Sequence, residues 1–191
     1  MCYKGNNATQ NINHNLSAIP ELMICKARTG TENWFVYYGI NTKYLVLQTA
    51  SAAATNSSVW GNTSPTSSVF TVGAAFQALN CVAYLFSTLA GISKVGSYTG
   101  TGTTLQIDCG FSGGARFVMI KRTDSTGDWY VWDTARGIVA GNDSYLLLNS
   151  TAAEVTSTDY IDPYSAGFEI SSTAPAAINA SGGTYIFLAI A

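Results

Sequence analysis

Apolar residues along this chain fall in short runs separated by clusters of Gly, Asn, Asp, Ser and Thr. The runs are rich in Val, Ile, Tyr, Phe, Trp and Thr, side chains that suit a pleated, half-buried surface. They predict strands near residues 10–12, 21–27, 34–38, 44–48, 69–72 and 81–86. A second set is predicted near residues 105–108, 116–122, 129–133, 145–149, 167–170 and 184–189. The segments 29–33 and 124–128 read as compact hairpin loops, where Gly and Asx residues satisfy the backbone locally. No stretch keeps a 3.6-residue period, and residues 51–54 predict at most one helical turn.

The two sets of strands match each other. Tyr3-Lys4-Gly5 lies over Tyr98-Thr99-Gly100, an offset of 95. Without a gap, Ile12 then meets Ile107, Lys26 meets Lys121, Trp34 meets Trp129 and Val36 meets Val131. Tyr44-Leu45-Val46-Leu47 meets Tyr145-Leu146-Leu147-Leu148 at offset 101, and Phe70-Thr71-Val72 meets Phe168-Glu169-Ile170 at offset 98. At the end, Tyr84-Leu85-Phe86 is placed over Tyr185-Ile186-Phe187, again at offset 101. The offset changes between runs and never within one. Loops tolerate insertions, whereas one added residue in a strand turns every later side chain to the other face. The chain therefore reads as all-β and duplicated: two tandem β-sandwich domains, residues 1–92 and 97–191, with a short Gly- and Ser-containing join. A single pseudo-symmetric sandwich built from both copies is the alternative.

Composition narrows the function. Of 191 residues, 47% are apolar, enough for a sizeable core, while only 10% are charged, against about 25% in an average soluble domain. With a net charge of −2, the chain lacks the basic field that binding nucleic acid through phosphate requires. Anionic membrane surfaces are disfavoured for the same reason. The most apolar window, residues 76–92, is broken by Gln77, Asn80, Ser87 and Thr88 and falls short of the roughly 20 residues of a spanning helix. No signal peptide is expected from the opening Met1-Cys2-Tyr3-Lys4-Gly5. Cys2, Cys25, Cys81 and Cys109 show no metal-type spacing and read as unpaired structural thiols. His14 is the single histidine, so neither a His-rich metal centre nor a spare acid or base is available, and no metal or cofactor is expected. Charge divides unevenly: residues 1–96 carry five basic and two acidic side chains, net +3, and residues 97–191 carry four and nine, net −5.

Several strings are specific when taken together. They are the Tyr-x-Gly opening of each copy, Phe117-Val118-Met119-Ile120-Lys121-Arg122, Ser125-Thr126-Gly127-Asp128-Trp129, Asp133-Thr134-Ala135-Arg136-Gly137, Tyr145-Leu146-Leu147-Leu148-Asn149 and Gly182-Gly183-Thr184-Tyr185-Ile186-Phe187. The set resembles a repeat domain of bacteriophage tail-fibre and other virion structural proteins of aquatic-phage type, present here in two copies. That resemblance implies a non-enzymatic component of the virion, made in the host cytoplasm, that contacts other virion proteins and the host surface. It also implies a homo-oligomer, with a trimer as the first expectation. Such modules tend to lie toward the end of a longer chain, so this one is expected to be a piece of a fibre or a short virion protein attached through a partner. A capsid-decorating or filament-forming protein without receptor binding is the alternative, and a glycan-cleaving enzyme is the weaker one.

Candidate chemistry is sparse. Asp124 with Asp128, and Asp159 with Asp162, are the carboxylate pairs a glycosidase would need. The first pair brackets a hairpin, where Asp usually bonds nearby backbone, and no catalytic residue is assigned. Trp34 and Trp129 share a strand position and are expected to anchor the two cores. Trp60, Tyr160 and Tyr164 lie in the segment that differs most between the copies. An exposed aromatic there can stack on a sugar, so these three are the candidate receptor- or glycan-binding residues. Lys26 and Lys121 read as strand-edge lysines that discourage edge pairing. The apolar terminal run, residues 185–191, is expected to bury both its faces, with a neighbouring chain as cover.

Overall fold

A computed structural model describes residues 1–191 and consists almost wholly of strands. The chain divides into two units, the first Met1–Gln48 with Ala53–Ser87 and the second Thr49–Ala52 with Thr88–Ala191. Relative to the sequence expectation, residues 88–92 and the short segment Thr49–Ala52 move to the second unit.

The first unit contains β1 (Cys2–Lys4), β2 (Gln10–Asn13), β3 (Leu22–Ala27), β4 (Phe35–Tyr37), β5 (Lys43–Val46), β6 (Ala54–Thr55), the helical turn α1 (Ser57–Trp60), β7 (Val69–Val72), a 3-10 turn (Ala74–Phe76) and β8 (Asn80–Phe86). Six strands form one sheet in the order β1-β8-β3-β4-β5-β6, and β2 pairs with β7 in a second layer. The core lies between the layers. Alternation along β3 sends Met23, Cys25 and Ala27 into it, where they meet Phe35, Tyr37, Trp60, Phe70 and Phe76. The turn α1 stands on local chemistry: Asn56 caps it through Ser58 N–H, and Gly61 closes it at φ 58°.

The second unit contains β9 (Ser93–Thr99), β10 (Leu105–Asp108), β11 (Phe117–Arg122), β12 (Trp129–Asp133), β13 (Asp143–Leu147), β14 (Val155–Thr158), β15 (Ile161–Tyr164), β16 (Gly167–Ile170), the helical turn α2 (Ala176–Asn179) and β17 (Thr184–Ile190). Its large sheet runs β9-β17-β11-β12-β13-β14, faced by β10-β16-β15. Ile120, Tyr130, Trp132, Phe168, Ile170, Tyr185 and Phe187 fill the space between. Both units thus use one strand order, with β15 as the extra strand of the second. The fold is all-β, and each unit has two layers and its own core.

Ladder register tests the sequence offsets residue by residue. Met23 pairs with Tyr37 and Val118 with Trp132, offset 95 on both strands. Phe35 pairs with Val46 and Tyr130 with Leu147, offsets 95 and 101. Ile12 pairs with Phe70 and Ile107 with Phe168, offsets 95 and 98. The terminal strand departs from its expected offset. Tyr3 pairs with Cys81 and Tyr98 with Tyr185, so the residue in the place of Tyr185 is Cys81, at offset 104. Tyr84 points the other way and is 49% exposed, whereas Tyr185 is buried. A shift from 101 to 104 is odd, and an odd shift exchanges the two faces of a strand.

Two further expectations change. Residues 93–99, of which 93–96 read as a join and none as a strand, form β9 along β17. Residues 51–54 form no helix, within the expectation of at most one turn, and the helical turns lie at α1 and α2. Trp34 and Trp129 hold equivalent positions, each with its N–H on an amide oxygen, from Gln48 and Asn149 respectively. Trp129 is fully buried but Trp34 only partly, and the tryptophans of the inter-layer cores are Trp60 and Trp132.

Lys121 is likewise not at an edge, since β11 lies between β12 and β17. The side chain is fully buried beside the Trp129 ring. Its ammonium donates to Gly127 O at 2.6 Å and Ala50 O at 3.2 Å, and Ala50 O also accepts Gly127 N–H at 2.9 Å. Burial pushes its pKa down to about 8, against the opposing pull of Asp128.

Candidate functional site

A cleft that contains the sequence-predicted Tyr164 lies in the second unit, where two loops are laced together. Cys109 N–H and Phe111 N–H both donate to Ala166 O, Gly114 N–H donates to Ser165 O and Ala115 N–H to Gly167 O, at 2.7–3.1 Å. These bonds bind the loop after β10 to the turn between β15 and β16. Gly114 is required at this seam. It sits at φ +78°, and a Cβ there would approach Tyr164 O to 2.9 Å. The third wall is the β12–β13 connection, where Thr134 N–H donates to Arg116 O at 2.9 Å. Asp133 steadies that connection by accepting Arg136 N–H at 2.9 Å and pairing with its guanidinium at 3.0 Å.

Between these walls lies a cleft of about 340 Å³ bordered by Gly113, Gly114, Ala115, Thr134, Ile138, Pro163, Tyr164 and Ser165. Its border offers one partly exposed phenol ring, two hydroxyl side chains and a glycine floor. None of these residues is a carboxylate, imidazole or ammonium. The arrangement can stack on an apolar face and exchange hydrogen bonds with hydroxyls; its border residues provide no general acid or base for neutral pH.

The three predicted aromatics separate. Tyr164 borders the cleft. Tyr160 instead stacks on Tyr145 with ring centroids 5.6 Å apart, as part of a row that continues to Tyr130 and Trp132. Trp60 is 0% exposed and cannot meet a ligand from solution. Its ring packs against Tyr37 and Phe76, and its indole N–H donates to Lys43 O at 3.0 Å. A residue in the segment that differs most between the copies reads as loop, yet here the capped turn α1 carries it into the core. The sequence reading missed Thr134, Ile138 and Ser165. Gly113-Gly114 was visible, but only as a turn.

Other polar groups are engaged in the fold. His14 accepts Leu16 N–H at Nδ1, 3.2 Å, and its Nε2 lies 3.1 Å from Thr66 O, which assigns the Nε2–H tautomer. This ring borders an open depression of about 380 Å³ in the first unit, beside Tyr84 and Phe86. Asp124 receives Arg122 at 3.0 and 3.1 Å, which holds its pKa down to about 2. Asp128 accepts the Asn149 amide at 2.7 Å. All four cysteines are free thiols, three of them buried, and burial pushes Cys109 up to about 11. No group of three or more His, Cys, Asp or Glu side chains is placed to hold a metal ion. No helix is long and apolar enough to cross a membrane.

Fold and cleft together define an all-β protein of two layered units with a small hydroxyl- and aromatic-bordered depression in the second. The chain belongs to the DUF7483 family, described as a domain of unknown function, which matches residues 1–191. The match runs through both units. No curated protein and no solved structure matches the chain.

Proposed function

We propose that the protein is a non-enzymatic structural component of a phage virion, part of a tail fibre, and that its second unit contacts host-surface glycan at the Tyr164 cleft. The observation that carries the contact is the cleft itself: an aromatic ring beside Thr134 and Ser165 over a floor held by backbone bonds. A site fixed before binding loses little freedom when a sugar enters. Support for the virion setting is the motif set of the sequence, together with a nearly uncharged surface rich in Ser, Thr, Asn and Gly. In this reading the fibre is a homotrimer and shares contacts with other virion proteins.

A second reading, a capsid-decorating or filament-forming protein without a receptor, is favoured by the burial of Trp60, which removes one of the three aromatics offered for glycan contact. Glycan-array binding of the full chain, with Tyr164→Ala beside it, separates the two. Binding that falls at least tenfold in the variant, with the circular dichroism unchanged, is the expected result. A chain that binds no host glycan, and that antibody labelling places over the capsid, overturns the first reading in favour of the second. Release of reducing ends from host polysaccharide overturns both.

A further inference from the structure

Asp143 and the segment Asp159–Asp162 are brought together at the corner between β13 and β15. Asp143 opens β13 opposite Thr158 and is 0% exposed. Its Oδ2 accepts the successive N–H groups of Tyr160 and Ile161, both at 3.1 Å. Its Oδ1 is buried and has no hydrogen-bond partner. Asp159, the residue just before that pair of amides, has a buried Oδ1 that is also without a partner. Asp162, just after them, accepts Gly141 N–H at 3.1 Å. The other carboxylates of the chain whose bonds are described above sit in ion pairs or amide bonds. This corner instead buries two carboxylate oxygens that nothing in the chain satisfies. An anionic oxygen in that state is costly unless a positive charge or a proton accompanies it.

We propose that Asp143 Oδ1 and Asp159 Oδ1 ligate a divalent cation, Ca²⁺, that ties β13 to the segment leading into β15. The donors are hard carboxylate oxygens, which suit Ca²⁺ and not a thiol- or imidazole-seeking metal. Two side chains are fewer than an all-side-chain metal centre needs, in line with the lack of any three-residue cluster. Ca²⁺ takes roughly six to eight oxygens in flexible geometry and completes its shell with backbone carbonyls and water. At offset 101 the first unit has Thr42 where the second has Asp143, so the stoichiometry is one ion per chain. The inference does not rest on the glycan reading.

The test uses the full chain freed of divalent ions with EDTA. Calorimetric titration with CaCl₂ is expected to show one site per chain, and the melting temperature is expected to rise with Ca²⁺. Tb³⁺ is expected to luminesce on excitation of tyrosine, because Tyr160 adjoins Asp159 and stacks on Tyr145, and Ca²⁺ should quench that signal by displacement. Asp143→Asn keeps an oxygen for the two amides but replaces the free one, and should weaken binding at least tenfold. Asp159→Asn should do the same and decides the matter if the first variant does not fold. Asp124→Asn, in a separate ion pair, should leave binding unchanged. Absence of saturable binding up to about 5 mM CaCl₂, beyond the weak end of protein calcium sites, overturns the proposal. So does retention of binding in the Asn variants.

Discussion

Asp143 shows how one residue can hold a loop and oppose its own charge. Two backbone amides favour its ionised form, but burial outweighs them and pushes the carboxyl up to about 6. An acid raised in the folded state binds its proton more tightly there than in the unfolded chain. Its contribution is full below about pH 4 and is lost as pH rises through 6. In EDTA, urea unfolding should therefore show stability falling between pH 4 and 6 by an amount on the order of 2 kcal/mol. Asp143→Asn should flatten that slope; an unchanged slope in the variant would assign it to other groups. This feature was not legible in the sequence, where Asp143 carries no motif. Trp60 was legible only in part. Its type marked it as important, but its place in α1, under Tyr37 and Phe76, depends on Asn56 and Gly61 making a turn that no periodicity announces.

At the scale of elements, every strand with a neighbour on each side was readable, as were the margin strands β2, β7 and β10. The strands missed, β1, β6, β9, β14 and β15, all lie at sheet margins. The offsets 95, 98 and 101 recur as ladder register because paired strands keep a strict period of two. The terminal strand misled because β17 is apolar on both faces, so Tyr, Ile and Phe match by type in either phase. β15 was hidden by Pro163, which the sheet accepts because β15 is an edge strand of β10-β16-β15. β9 was hidden by Gly96 and its serines. Gly96 has a packing reason: it pairs with Phe187, and a Cβ there would come within 2.5 Å of the Phe187 ring. That ring is buried against Phe168 and has little room to yield. Gly96→Ala is thus expected to cost about 1–3 kcal/mol by overpacking, seen as a lower urea midpoint. A neutral outcome would mean that β9 is loosely held.

Across the whole molecule, the question is whether its apolar surface demands a second chain. The C-terminal strand looked like the place, since residues 185–191 form the longest unbroken apolar run of the chain. Its residues 185–189 are buried within the single chain. Tyr185, Phe187 and Ala189 enter the second unit's core, and Leu188, on the opposite face, is 3% exposed in the isolated chain. Leu188 therefore stabilises the fold and is not free for an interface. Replacing it with Asp would bury an unpaired charge, one of the few changes that cost about 4 kcal/mol or more. That would consume much of a stability of roughly 5–15 kcal/mol. Apolar side chains available for assembly lie elsewhere, and Ile92, 55% exposed in the turn before β9, is one. Light scattering of the purified chain at about 50 micromolar, well above the roughly micromolar Kd of a modest interface, is expected to give a trimer. Leu188→Asp should abolish both the trimer and the folded circular dichroism. Ile92→Asp should leave the fold intact and reports on the interface alone. A Leu188→Asp chain that stays folded but becomes monomeric would place Leu188 at a subunit contact.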